Sequence, residues 1–153
     1  AIDEKDEKGY TKIGKVFEAI NNKQVRYNWL ITDIYYVPRK IEEYCSDKGY
    51  CWLTGEELSQ IVREDDQQWA WAVLSGFEKG IALSEVLKYP QPYADGYRGF
   101  WINPVSIQHP LATIEIVAWD STLTLFFSKQ EGLTQEFLNF FPFSEDILTY
   151  NST

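Results

Sequence analysis

A single histidine, His109, stands in the 153-residue chain, and histidine is the side chain whose ordinary pKa lies nearest neutrality. Flanked by Gln108 and Pro110, it has no Gly-x-Ser-x-Gly elbow or comparable serine frame to act on, so it reads as a loop histidine ahead of a strand. The paired carboxylates Glu42-Glu43 and Glu56-Glu57 have the composition of a glycosidase acid and base. Adjacent residues on a helix point about 100° apart, however, so both pairs read as solvated helix faces. Gly76 to Gly80 lacks the lysine and the spacing of a phosphate-cradling loop. Cys45 and Cys51 are separated by five residues, a spacing that neither Cys-x-x-Cys redox motifs nor common zinc ribbons use. They are two free thiols or a local disulfide closing a tight loop, and with one histidine no metal site is expected. No catalytic residue, metal or cofactor is assigned, and the chain is expected not to be an enzyme.

The residue types favour a contact surface instead. Acids outnumber bases by 23 to 14, giving a net charge of -9, which repels a phosphate backbone, so direct nucleic-acid binding is not expected. The acids are unevenly spread: Asp33 to Asp66 holds nine against four bases, Leu111 to Thr153 holds six against one, and the stretch between them balances. Aromatic residues make up 16% of the chain, more than a core of this size obviously needs, and Tyr and Trp suit half-buried contacts. Asp33 beside Tyr35 and Tyr36 forms one candidate partner-binding group. Glu64, Asp65 and Asp66 form a second, at the end of a helix where the macrodipole disfavours anions. Tyr93, Asp95, Tyr97 and Trp101 form a third, in a long segment from Tyr89 to Pro104 rich in proline and glycine, and ordered loops of that length are uncommon unless used.

These groups need elements to carry them. Ile13, Phe17 and Ile20 recur at helical spacing, predicting an amphipathic helix over 11–22 that Asn21-Asn22 ends. Val25 to Val37 is rich in β-branched and aromatic types and reads as a long strand or bent pair stopped by Pro38. Lys40 to Cys45 fits a short helix. Thr54-Gly55-Glu56-Glu57 is a capping box, predicting a helix from Gly55 to about Arg63. Gln68 to Phe77 is apolar on both faces, Trp69, Trp71 and Val73 on one and Ala70, Ala72 and Leu74 on the other, as in a central strand. Ser84 to Lys88 fits another short helix. Leu111 to Lys129 reads as a hairpin with Asp120-Ser121 as its loop. That register pairs Ala118 with Leu123, Ile116 with Leu125 and Ile114 with Phe127 on an apolar face. Glu115 then faces Phe126, and Val117 faces Thr124, on a mixed, partly solvated one. Gly132 to Phe141 gives a last helix, stopped by Pro142. The expected class is α+β, a mainly antiparallel β-sheet with helices packed on one face.

Residues 1–9, alternating acids and lysines, read as a flexible charged tail before a single domain over 10–153. No run of about 18 apolar residues exists, so no membrane association is expected, and the charged start points to a cytoplasmic protein. Asn151-Ser152-Thr153 has the form of a glycosylation acceptor and is read as accidental.

Tyr27-Asn28-Trp29-Leu30-Ile31 after an amphipathic helix, then Leu53-Thr54-Gly55-Glu56-Glu57-Leu58, then a hairpin followed by a helix, resemble small acidic bacterial proteins. Among those are the immunity proteins of polymorphic or contact-dependent growth inhibition toxin systems, and the likeness runs from about Lys12 to Leu148. It implies a cytoplasmic, non-enzymatic inhibitor that binds and neutralises a cognate toxin domain, commonly a basic nuclease, by covering its active site or substrate surface. No motif in the chain names a toxin class. The alternative is a small enzyme or ligand-binding domain that uses the 89–104 loop as a lid over an apolar pocket.

Overall fold

The computed structural model describes residues 2, 3, 11–45 and 47–152. Six strands form one antiparallel sheet in the order β1-β6-β5-β4-β2-β3. They are β1 (Ile2–Asp3), β2 (Tyr27–Tyr35), β3 (Cys51–Thr54), β4 (Trp71–Glu78), β5 (Ile114–Trp119) and β6 (Leu123–Ser128). Apart from β1, the expected charged tail lies outside the described residues. The longer helices, α1 (Ile13–Ala19), α2 (Arg39–Cys45), α3 (Gly55–Glu64) and α5 (Glu131–Phe140), bury their apolar stripes on one face, as the α+β reading required. The other face is covered by a strap running from Tyr89 to Leu111 and by two short helices, α4 (Leu83–Val86) and α6 (Ile147–Asn151).

Local chemistry sets the helix boundaries. Thr54 Oγ1 accepts from Glu57 N at 3.1 Å while Thr54 N donates to Glu57 Oε1 at 2.9 Å, so the capping box starts α3 where the sequence placed it. Helix α1 ends at Asn21 and Asn22, both left-handed with φ of 56° and 58°. Asn22 N reaches back to Phe17 O at 2.9 Å and Asn21 N to Glu18 O at 3.0 Å, a Schellman ending with asparagine where glycine is usual. Gly55 is required by close approach: a Cβ there would lie 2.2 Å from Gln24 O, in the 3-10 turn Lys23–Arg26 that precedes β2. Cys45 at the end of α2 is disulfide-bonded to Cys51 at the start of β3, with Cα atoms 4.7 Å apart, which takes the local-disulfide side of the two alternatives.

The sheet separates two cores. On the helix face, Trp29, Ile31, Leu74, Ile116 and Phe126 meet Ile13, Phe17, Leu58, Leu133 and Phe137, with the Phe126 and Phe137 rings stacked at 4.7 Å. Trp29 lies over Gly76 and donates its indole N–H to Gln24 O at 3.0 Å, so its polar atom is satisfied despite complete burial. On the strap face, Val73, Val117, Leu125 and Phe127 pack against Ala94, Phe100 and Ile147. Strand β4 is central and apolar on both sides, as expected. Trp69 differs from the expectation: it precedes the strand and joins the helix-side core, with Thr11 donating from its hydroxyl to Trp69 O.

The hairpin corrects the expected register by one residue. Asp120 and Ser121 do form the turn, with φ of 49° and 59° and a 3.0 Å bond from Thr122 N to Trp119 O. The ladder then resumes at Trp119↔Leu123, leaving Thr122 as an extra residue, so the pairs are Ile116↔Phe126, Val117↔Leu125 and Glu115↔Phe127. The turn is docked, since Ser121 N donates to Ala70 O at 2.9 Å and Gln68 Nε2 donates to Ser121 O at 2.8 Å. A one-residue shift exchanges faces. Ile116 and Leu125 therefore belong to opposite cores, and Glu115 and Thr124, expected to be partly solvated, are buried.

Candidate protein-interaction surface

The site begins with an irregularity in β2. Its pairing with β4 shifts between Thr32 and Tyr35, and Asp33 takes a left-handed φ of 52°, which aspartate tolerates better than most side chains. This bulge aims the Asp33 carboxylate out of the ladder, where Oδ2 accepts from Ala94 N at 2.8 Å and Asp95 N at 2.9 Å. Thr32 Oγ1 adds a 2.7 Å bond to Pro92 O. Two of the three candidate groups are thereby joined, because the bulge of β2 holds the loop that carries Tyr93, Asp95 and Tyr97.

The strap is closed on itself as well. The Gln108 carboxamide accepts from Tyr93 N at 3.1 Å and donates to Tyr93 O at 2.8 Å. Gln108 N donates to Glu115 Oε1 at 3.0 Å, and Asn151 Nδ2 of α6 donates to Phe100 O at 2.8 Å. Beneath the strap Ala94 and Phe100 are fully buried, so its underside is packed core. Glu115 is fully buried too, and burial pushes its carboxyl up to about 7 against the opposing pull of the Gln108 N–H. Its Oε2 and the Oγ of Ser75, the residue opposite it on β4, both lack a partner among the described residues. His109 is buried and accepts at Nδ1 from Leu111 N at 3.1 Å, so Nε2 carries the proton and donates to Val86 O at 2.8 Å. Burial lowers its pKa, and it serves as a neutral tie between α4 and the strap.

Aromatic rings run in edge-to-face contact along this side: Tyr93 to Tyr97 at 5.2 Å, Tyr97 to Phe100 at 4.6 Å, Trp101 to Trp119 at 5.5 Å and Trp119 to Trp71 at 5.4 Å. Tyr97 and Trp101 are partly buried in this array, and burial, with the charges of Glu115 and Tyr93 adding, raises the Tyr97 phenol pKa. Tyr93 is 47% exposed. At the end of β2, Tyr35 and the following Tyr36 pack edge to face at 4.4 Å while remaining 59% and 69% exposed. The neighbouring Tyr36 hydroxyl raises the Tyr35 pKa. Tyr36 sits at a left-handed φ of 52°, a conformation that costs energy for a bulky residue, and Ala70 N fixes it through a 2.9 Å bond to Tyr36 O.

The third group lies on the other side of the same end. Helix α3 ends at Glu64, which approaches Lys40 at 4.0 Å and accepts from Gln60 Nε2 at 3.1 Å. Asp65 Oδ2 accepts from Gln67 Nε2 at 2.9 Å, and the Asp66 carboxylate lies over Gly14 of α1. The chain from Asp65 to Ala70 leads to Tyr36. The predicted residues therefore straddle one end of the sheet: Glu64, Asp65 and Asp66 on the helix side, Tyr35 and Tyr36 at the rim, and Asp33, Tyr93, Asp95, Tyr97 and Trp101 on the strap side. Sequence reasoning missed Trp71, Trp119 and Gln108. Trp119 beside Asp120 repeats the aromatic-plus-acid composition that singled out Asp33 and Tyr35. The Gln108 clasp has no local signal, since its partner is 15 residues away.

Comparison with known proteins adds no relative, because no protein-family profile, no curated protein and no solved structure matches the chain.

Proposed function

We propose that the chain is a non-enzymatic, immunity-type inhibitor that binds and neutralises a cognate bacterial toxin domain carrying a basic surface, such as a nuclease. The observation that carries the reading is the exposed, edge-to-face Tyr35-Tyr36 pair, with Tyr36 held at a left-handed φ, at the rim between acidic flanks. A large apolar ring pair fixed before contact loses little side-chain freedom on docking, and tyrosines in that condition concentrate binding energy. The surrounding carboxylates repel one another and attract a basic partner, raising the encounter rate. The packed underside of the strap favours this reading over a lid closing on an apolar pocket. No helix among the described residues is long and apolar enough to cross a membrane. The proposal is of a partner rather than a compartment: a disulfide such as Cys45–Cys51 is typical of oxidising compartments and stands against the cytoplasmic expectation. A thiol count on protein taken directly from cells decides that point.

The test is a protection assay. Each toxin-like domain encoded beside this chain's gene is expressed in a bacterium with the chain, with its Tyr36→Ala variant, or alone. Growth restored by the parent chain and reduced protection by the variant are expected. A set of neighbouring domains that the chain neither binds nor neutralises overturns the proposal.

A further inference from the structure

The return arm of the strap, residues 105–108, crosses the sheet without joining it. Among the described residues no backbone-to-backbone hydrogen bond of 90–111 reaches a strand. Gln108 makes the joint instead. Its N–H donates to Glu115 Oε1 at 3.0 Å, and its carboxamide clips the outgoing arm through two bonds to Tyr93. Glu115 is fully buried, and among the described residues neither its Oε2 nor the neighbouring Ser75 Oγ has a partner and no ion pair reaches it. Beside it stand Ser75 on β4 and Phe127 on β6. On the strap the Tyr97 phenol feels its charge and His109 follows Gln108, while Lys129, just past β6, is spent on Pro110 O at 2.8 Å. A carboxyl with one donor and no counter-charge is accommodated while neutral, and once ionised it needs water. Water is close: a cleft of about 370 Å³ lies against the arm, lined by Val105, Ser106, Ile107, Phe127 and Ile147 among others.

We propose that Glu115 and Gln108 form a proton-operated latch: the arm stays closed while Glu115 keeps its proton, and loss of the proton lifts residues 105–108 off an intact sheet and admits water from this cleft. Lifting the arm breaks one bond to the sheet and two to Tyr93, whereas β5 keeps its ladders to β4 and β6. The fully buried Ala94 and Phe100 stay packed beneath the rest of the strap. Such an opening costs less than unfolding the sheet to hydrate one carboxylate. It also unclips Tyr93, so the proton state of Glu115 sets how firmly that part of the candidate surface is held. The latch belongs to the chain alone and does not depend on the toxin reading.

With the closed carboxyl at about 7 and a hydrated one at 4.5, opening becomes easier as pH rises through that window, by about tenfold from pH 6 to pH 8.5. His109 acts in the opposite sense, because its ring is buried neutral and its protonation loosens the arm in acid. The effect is therefore read as a ratio to Glu115→Gln, in which His109 is the same. Hydrogen exchange at the Tyr93 and Gln108 amides, corrected for intrinsic rates, measures the opening in both proteins at pH 6 and pH 8.5. Both amides should exchange faster than those of β4 and β5, and the ratio of parent to variant opening should rise about tenfold. Gln108→Ala keeps the N–H and loses the clip, so the amide of residue 108 should show about tenfold more opening than in the parent at either pH. Exchange of the two amides only together with the sheet overturns the proposal. So does a parent-to-variant ratio that does not change with pH, or a Gln108→Ala arm no more open than the parent's. The first and last of these need no folded Glu115→Gln.

Discussion

Replacing Glu115 by glutamine should stabilise the protein at alkaline pH and leave it unchanged in acid. The carboxyl is fully buried, and its pKa is raised from an ordinary 4.5 to about 7. Between those values the folded chain holds a proton that the unfolded chain has released, so stability falls as pH rises through that window and is lowest above 7. The difference between 4.5 and 7 corresponds to roughly 3 kcal/mol in favour of the neutral form. Glutamine keeps that neutral form at every pH. Its carbonyl replaces Oε1 as acceptor for Gln108 N, and its amide supplies a donor beside Ser75 Oγ, which has no partner among the described residues of the parent. Urea denaturation followed by tryptophan fluorescence, repeated for both proteins from pH 5 to pH 8.5, reads the effect. The variant should exceed the parent by no more than about 1 kcal/mol near pH 5 and by about 3 kcal/mol at pH 8.5, where the gain is roughly 6 to 12 °C in melting temperature for a domain of this size. Taking the difference between the two proteins removes the opposite-signed contribution of His109, whose burial as a neutral ring weakens the fold as pH falls. A difference that does not change with pH would refute the burial argument for Glu115.

Three further outcomes test the packing and the surface. In double-mutant cycles Ile116→Ala should couple with Phe126→Ala by about 0.5 kcal/mol or more and be nearly additive with Leu125→Ala, because Ile116 shares a face with Phe126 and not with Leu125; the reverse result restores the other register. By urea denaturation, Thr54→Ala should cost about 1 kcal/mol through loss of the cap, and Gly55→Ala should cost more, since its Cβ meets backbone rather than a mobile side chain. Association with a basic partner should slow as salt rises and slow further in a Glu64→Gln, Asp65→Asn, Asp66→Asn variant, read by stopped-flow; an unchanged on-rate removes that cluster from the surface.

What was legible in the sequence was what neighbours along the chain decide. Thr54 and Glu57 meet within one helical turn, Asn21 and Asn22 end α1 by their own backbone preference, and the two-sided apolar pattern of β4 marks a central strand. What was not legible depends on distant partners. Strand β3 is four residues long and exists through pairing with Asn28 to Ile31. Helix α6 is a five-residue element after Pro142, held by Asn151 to the strap. The hairpin turn was visible, but the extra Thr122 goes with bonds to Gln68 and Ala70 that no local pattern carries. The candidate surface divides in the same way. Its acids and tyrosines stood out by composition, whereas the bulge that turns Asp33 onto Ala94 and Asp95 joins residues about sixty positions apart.

Titration calorimetry of the parent chain and its Tyr36→Ala variant against the toxin-like domain that passes the protection assay tests the central claim most directly, provided thermal melts are run on both. Loss of a preorganised tyrosine anchor should weaken binding by about 2 kcal/mol, roughly thirtyfold, while the exposed position leaves the melting temperature nearly unchanged. Equal affinity in the two proteins, with the same melting temperature, would contradict the assignment of the Tyr35-Tyr36 rim as the binding surface.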